Sequence, residues 1–466
     1  MMDRAKRTIL PGPAAFFKFR ENNTDFRTET GAGVTTFLTL AYIIFVQPAV
    51  LTGRMFGFET GMDFGAVMVA TCLTGALATL IMGLWANYPI AQAPGMGENF
   101  FFVFSVIPAA AALIAARGWE DTSPWQVALG VVFVSGVLFL ILSLLKARRA
   151  LIDSVSPSLK NGIAVGIGIF IAFIGLQNAR VVVASPGTLV MLTEDLLTAD
   201  ILVFGIGLAV MAALTARKVR GAIIIGIAAA LLAALLLGRV PYTGIISPPP
   251  SLSPTLLRMD VPRALVLRLW PYIIIFLFMD VFDTMGTLIG VAEQAGFIKD
   301  NRLPRAGRAL LSDAVGTVFG AAAGTSTVTS FIESSAGVAH GGRTGFTSVV
   351  TAGCFIFAIF FSPLVAMVAD YPPVTAPALV VVGAMMIRNV VKIDWSDFTE
   401  CFPAFLVIIG IPLSYSIADG IAWSFIAYPL VKLLSGRGRE AGWITYLVGV
   451  LFLFRYLLPY LERLWG

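Results

Sequence analysis

Stretches of about 20 mostly apolar residues, the length a helix needs to cross the hydrocarbon core of a bilayer, recur along nearly the whole chain. In lipid each backbone N–H and C=O must be paired within the protein, so stretches this long can span only as helices. The sequence predicts these spans as Val34–Thr52, Phe64–Trp85, a shorter Gly/Pro-broken stretch Pro89–Ile107, Gln126–Leu145, Asn161–Gln177, Ile201–Ala216 and Gly221–Leu237. After a proline-rich segment, Ile246–Pro254, come Leu269–Ala292, Ala309–Ala323, a second broken stretch Thr325–His340, Phe346–Ala369, Val374–Val391, Pro403–Ile417 and Ile421–Leu434. A last apolar run, Trp443–Leu461, contains Arg455 and reads either as an extra span or as an interfacial helix. Of the 466 residues, 58% are hydrophobic and only 13% charged, which excludes a soluble enzyme, a disordered chain and a nucleic-acid binder. The expectation is an all-α polytopic protein of about fourteen spans.

The net charge of +5 needs no acidic partner. Lys and Arg collect in the loops after even-numbered spans, as the positive-inside rule requires of an N-terminus in the cytoplasm. The N-terminal segment carries Arg4, Lys6, Arg7, Lys18, Arg20 and Arg27. Later loops carry Lys146, Arg148 and Arg149, then Arg217, Lys218 and Arg220, then Lys299, Arg302, Arg305 and Arg308. Arg343, Arg388 with Lys392, and Lys432 with Arg437 and Arg439 continue the series; Arg258, Arg263 and Arg268 break it. No cleavable signal peptide is expected, because the first thirty or so residues lack an apolar core. Seven spans before the proline-rich boundary make the halves inverted repeats, since an odd number of crossings reverses the second half. The organisation expected is a cytoplasmic segment 1–33, a first repeat 34–245, a linker 246–268, a second repeat 269–436 and a C-terminal apolar or interfacial helix 437–466. The third span of each repeat is the broken one, and paired interruptions of this kind mark a midplane binding site in transporters.

Ionisable groups inside spans are costly and point to function. In the eighth span Asp280 and Asp283 lie three residues apart on one helix face. Glu98 and Asn99 follow Pro-Gly-Met-Gly97 in the third span, Glu333 follows Phe331 and Ile332 in the tenth, and Asp313 lies in the ninth. Cys72, Cys354 and Cys401 have no metal spacing, His340 is the sole histidine, and no metal or cofactor is expected. A flat, polar heterocycle suits the set: carboxylates accept N–H bonds from one edge of a base, Gln, Asn and freed amides serve another, and Phe100, Phe282 or Phe331 stack on the ring. Bracing roles remain open for Asp280, Asp283 and Glu98, Asp313 reads as structural, the phenylalanines read equally as core, and the Gly162–Gly168 run reads as a helix-packing face. Two further functions stay in view. One is an anion transporter or channel of the same architecture, which would want a neutral or basic centre. The other is an intramembrane enzyme, for which no motif is present.

At these motifs the sequence resembles the adenine/guanine/hypoxanthine permease family of nucleobase–cation symporters. The matching stretches include Phe37-Leu-Thr-Leu-Ala-Tyr-Ile-Ile-Phe-Val, Trp85-Ala-Asn-Tyr-Pro-Ile-Ala-Gln-Ala-Pro-Gly-Met-Gly, Phe282-Asp-Thr-Met-Gly-Thr-Leu, Gly324-Thr-Ser-Thr-Val-Thr-Ser-Phe-Ile-Glu-Ser and Gly341-Gly-Arg-Thr-Gly. The resemblance runs from about residue 26 to about residue 435 and leaves out Trp443–Leu461. It implies a uracil-permease-like core and gate built from two inverted seven-helix repeats. It also implies proton symport of purine bases in the inner membrane, and a homodimer. It places Glu333 as the glutamate that holds the base, Asp283 as the eighth-helix acid and Asn99 as the third-helix asparagine. Thr287 falls where related uracil permeases carry a histidine, and Glu98 departs from an apolar position. The site expected is Asp283, Glu333, Asn99, Thr287, Phe282 and the amides near Gly97 and Ile332, with Glu333, Asp283, Glu98 and Asp280 as candidates to carry the proton.

Overall fold

The computed structural model describes residues 12–144, 155–298 and 303–465. The side chain of Arg455 and the basic residues Arg4, Lys6, Arg7, Lys146, Arg148, Arg149, Lys299 and Arg302 lie outside the described set. The described residues are mostly helical. Helix α1 is Phe26–Leu51, with a turn at Ala41–Tyr42, and α2 is Phe64–Ala86. Strand β1 (Gln92–Pro94) leads into α3, Met96–Arg117. Then come α4 (Pro124–Leu144), α5 (Pro157–Asn178), a hairpin of β2 (Val182–Ser185) and β3 (Leu189–Leu192), α6 (Ala199–Ala216) and α7 (Ala222–Leu236). The second half holds α8 (Trp270–Ala295), α9 (Ala306–Ala323), β4 (Val328–Ser330), α10 (Ser334–His340), α11 (Gly345–Ala369), α12 (Pro372–Lys392), α13 (Phe398–Ser414), α14 (Ile417–Leu434) and α15 (Trp443–Trp465). Ten helices among the described residues are long and apolar enough to cross a membrane: α1–α6, α8, α11, α12 and α14.

Local chemistry sets the helix ends. The Asp25 carboxylate accepts from the Thr28 N–H at 2.8 Å, which starts α1 at Phe26, two turns before the first uncharged window. Asp63, Ser156, Thr198, Asp397 and Ser416 cap α2, α5, α6, α13 and α14 in the same way. Gly324 stops α9 at a φ of 108°, a conformation that side chains resist, and the chain leaves the helix for β4.

Small residues let the helices approach closely. A Cβ on Gly383 of α12 would lie 2.4 Å from the Gly168 carbonyl oxygen of α5. One on Gly166 would lie 2.7 Å from the Val407 oxygen of α13. The Gly162–Gly168 run is therefore a packing face toward α12 and α13.

At the centre, β1 and β4 pair antiparallel, Gln92 opposite Ser330, Ala93 opposite Thr329 and Pro94 opposite Val328. The ladder extends through Gly95 N–H to the Thr327 oxygen (3.0 Å) and Phe331 N–H to the Ala91 oxygen (2.9 Å). All six strand residues are buried. Two extended segments, one from each half, thus pair the buried backbone groups that no helix pairs. Each leads into a helix, β1 into α3 directly and β4 into α10 through Phe331–Glu333.

Helix α15 lies antiparallel along α14. Gly449 packs on Phe425 and Pro429, the Phe452 ring meets Phe425 at 6.0 Å, and the Tyr456 hydroxyl donates to Asp419 at 2.8 Å. Its opposite face, Trp443, Leu447, Val450, Phe454 and Leu457, is exposed and apolar.

Candidate functional site

Helix α8 is stitched to the central strands by its acidic and hydroxyl residues. Thr284 Oγ1 accepts from the Ser330 N–H at 3.0 Å. The Thr329 side chain lies beside Asp283. Thr317 of α9 donates to Asp280 at 3.1 Å and accepts from the Val328 N–H at 3.0 Å. The acids of the eighth span therefore sit against β4, the strand that leads to Glu333.

Glu333 lies in the last turn before α10. The Tyr42 hydroxyl donates to its Oε1 at 2.8 Å, and Thr39 Oγ1 donates to its backbone oxygen at 3.3 Å. Asp283 lies within electrostatic range of Glu333, Glu98 and Asp280. Glu98 is enclosed: a Cβ on Gly95 would meet its Oε2 at 2.2 Å. Asp283, Glu333, Glu98 and Asp280, four carboxylates from three parts of the chain, thus form one cluster. Asp313 joins them behind α8, where Gln92 Nε2 donates to its Oδ1 at 3.3 Å.

Access is uneven. Asp283 and Gly286 are exposed on α8, as are Ile289 and Glu293 further along, so an open face leads from Asp283 to the end of the helix. Ile332 is 51% exposed and Glu333 half-buried. Asp280, Asn99 and Gly97 are buried, and Thr287 nearly so. Phe282 is half-buried, stacked on Phe278 at 5.5 Å and under the Lys160 ammonium of α5 at 4.8 Å. Phe100 is packed among Phe56, Phe104 and Phe170, and Phe331 is 5% exposed. Asn99 belongs to a buried chain of polar groups. Gln47 Nε2 donates to Thr325 Oγ1 (2.8 Å) and Ser326 Oγ (3.0 Å), and Ser326 donates to Asn99 Oδ1 at 2.6 Å. His340, the last residue of α10, contacts Arg220 and accepts or donates at 3.3 Å with Thr35.

Sequence reasoning did not single out Tyr42, Gln47, Gln92 or Thr329. Each is a polar residue within an apolar or strand-like stretch, and Tyr42, Gln92 and Thr329 lie inside the motifs that carry the family resemblance, which was the available signal.

Comparison with known proteins identifies the family. The sequence model described as the permease family matches residues 27–422. The chain is 43% identical over 448 residues to the guanine/hypoxanthine permease PbuG of Bacillus subtilis, covering 95% of this chain and 99% of that protein. It is 41% identical over 441 residues to the adenine permease AdeP of Escherichia coli, covering 94% of each. The transmembrane domain of a cyanobacterial bicarbonate transporter, BicA, superposes with a TM-score of 0.62 at 16% identity, covering 84% of this chain and 97% of that one. That last likeness is one of fold.

Proposed function

The chain belongs to the adenine/guanine/hypoxanthine permease family, a family of membrane transporters and not of enzymes, and from that premise we propose that it imports purine nucleobases by proton symport with alternating access. The observation that supports the reading is that Asp283, on the open face of α8, and Glu333 lie within electrostatic range of each other. Two carboxylates from separate elements accept N–H bonds along one edge of a purine, as hydrogen bonds to charged acceptors are the stronger kind. Phe282 offers a ring face, and Thr287, Asn99 and the amides near Gly97 and Ile332 complete the polar lining. Like charges repel strongly in a low-dielectric interior. A proton taken up among Glu333, Asp283, Glu98 and Asp280 relieves that repulsion, which couples its movement to the loading of the site.

In this reading the chain makes fourteen crossings in two inverted seven-helix repeats, with the third and tenth interrupted at β1 and β4 and the N-terminus in the cytoplasm of the cell. The open face of α8 then forms the cytoplasmic approach to the substrate.

The test is uptake of labelled hypoxanthine, guanine, adenine and uracil into cells lacking their own carriers, at two external pH values, with and without a protonophore. Saturable purine uptake that rises at low pH and collapses with the protonophore is expected. Uptake that survives Asp283→Asn combined with Glu333→Gln, or that ignores both pH and protonophore, overturns the proposal.

A further inference from the structure

We propose that Tyr42 is a positioning residue for purine binding: its hydroxyl fixes the Glu333 carboxylate so that one oxygen faces the substrate. The inference rests on the reading of Glu333 as the base-binding acid.

The geometry places Tyr42 at the turn that interrupts α1. The Ile44 N–H bonds to the Ala41 oxygen at 3.1 Å and the Phe45 N–H to the Tyr42 oxygen at 3.1 Å, the tightened spacing of a helix in transition. Its ring is buried and cannot swing out. From this fixed base the hydroxyl reaches Glu333 Oε1 at 2.8 Å, while Thr39, one turn earlier, holds the Glu333 backbone oxygen at 3.3 Å.

The neighbouring packing is equally restrictive. A Cβ on Gly337 of α10 would lie 2.0 Å from Thr36 Oγ1 and 2.8 Å from the Ala32 oxygen, so α1 and α10 meet backbone to backbone. Glu333 is thus held at side chain and main chain by one face of α1, and its carboxylate has a single defined orientation. Oε1 is engaged by Tyr42, which leaves Oε2 to accept from a substrate N–H.

The titratable groups facing Glu333 are Tyr42 from α1 and Asp283 from α8, the latter in turn facing Glu98 and Asp280. Tyr42 is the one donor among them, and a donor to a carboxylate favours its ionised form. Removing that donor loosens the orientation of Glu333 and changes its proton affinity together, whereas a residue that merely fills space alters neither.

The experiment uses the full-length protein in carrier-deficient cells, with initial rates of hypoxanthine uptake across pH. Tyr42→Phe keeps the buried ring and deletes only the hydroxyl. It is expected to raise KM by about tenfold, the scale of one hydrogen bond to a charged group, to leave the maximal rate within about twofold, and to move the midpoint of the pH profile. Incorporation of 3-fluorotyrosine at position 42, a near-isosteric and stronger donor, is expected to move the midpoint the other way. If Tyr42→Phe fails to accumulate in the membrane, the fluorotyrosine protein still decides the matter through whether its midpoint shifts. Wild-type KM and an unmoved pH midpoint in either protein, while Glu333→Gln abolishes uptake, overturn the role of Tyr42 alone. Purine uptake that survives Glu333→Gln overturns the underlying reading of the site instead.

Discussion

Glu29 offers a direct test of how the core of this protein is held. It is fully buried in the first turn of α1, yet its carboxylate is well supplied with donors. Oε1 accepts from the N–H groups of Arg343 (2.9 Å) and Thr344 (3.2 Å). Oε2 accepts from the Thr347 N–H (3.2 Å) and Thr347 Oγ1 (2.5 Å). The acid therefore caps the start of α11 from a helix more than 300 residues away in sequence. Glu29→Gln replaces one oxygen with an amide that faces donors, so at least one backbone N–H loses its partner and the charge at the helix start is gone. One charge-assisted hydrogen bond plus the helix-terminus term amounts to about 2–4 kcal/mol. Spread over an unfolding entropy of about 1 kcal/mol/K for a chain of this length, the melting temperature should fall by about 2–4 °C. A thiol-reactive dye can read this through Cys72, which is buried, in a background carrying Cys354→Ser and Cys401→Ser. Hypoxanthine uptake at 25 °C should persist, because Glu29 lies 13 residues from Tyr42 along α1, about 20 Å of helix. A melting temperature within 1 °C of wild type, or a loss no larger than for the exposed control Glu59→Gln, would refute the capping role.

Other predictions follow from single contacts. Asp283→Asn should lower the initial rate of hypoxanthine uptake at least tenfold at unchanged protein level, on the scale of a lost charge-assisted hydrogen bond, and normal uptake would remove Asp283 from the site. Gly383→Ala should destabilise by about 1–3 kcal/mol, since its methyl group meets a backbone oxygen at 2.4 Å, while Gly353→Ala, with nothing within 4 Å, should be neutral in the same dye assay. At the α13–α14 end, Thr399 and Arg437 hold the Asp397 carboxyl at about 2, and Arg437 and Lys432 hold that of Glu440 at about 2. Depressed carboxyls stabilise the fold above their ordinary range near 4 and lose that contribution as pH falls toward 2. The melting temperature should therefore drop across that window, and less steeply in Arg437→Gln. Because α15 follows α14 from Pro429 to Asp419, reporters fused after Gly436 and after Gly466 should lie on opposite sides of the membrane, and detection on the same side would contradict a crossing.

The helices were legible because burial in lipid imposes a long, uncharged window, and that window is a property of contiguous sequence. Their ends were less so. Helix α1 starts at Phe26 because Asp25 caps it, and the charged Arg27 and Glu29 in its first turn hid two turns from a hydropathy reading. The strands lay beyond reach for a different reason. β1 and β4 are three residues each, and Gln92 pairs with Ser330 across 238 positions, so no local period signals them. What was visible was the reason for them: Pro and Gly at one place, Gly and a run of hydroxyl residues at the other, in segments too short to span.

The same division explains which parts of the candidate site could be read. Charged side chains in a membrane segment stand out singly, so Asp280, Asp283, Glu98 and Glu333 announced themselves without any knowledge of contacts. Their supports are neutral. Tyr42, Gln47 and Thr329 are ordinary residues by composition, and only the fold shows the Tyr42 hydroxyl on Glu333, the Gln47 amide feeding Ser326 and Asn99, and Thr329 beside Asp283. Asp283 and Glu333 are fifty residues apart, and they come together because Thr284 ties α8 to β4 while β4 leads to Glu333. That tie also constrains any motion of the site. α8, β4 and the start of α10 are linked by backbone and side-chain bonds, and Thr39 and Tyr42 add α1 to them. Asp283 and Glu333 therefore belong to one bonded unit. In the proposed alternating access, α8, β4, the start of α10 and α1 would move together.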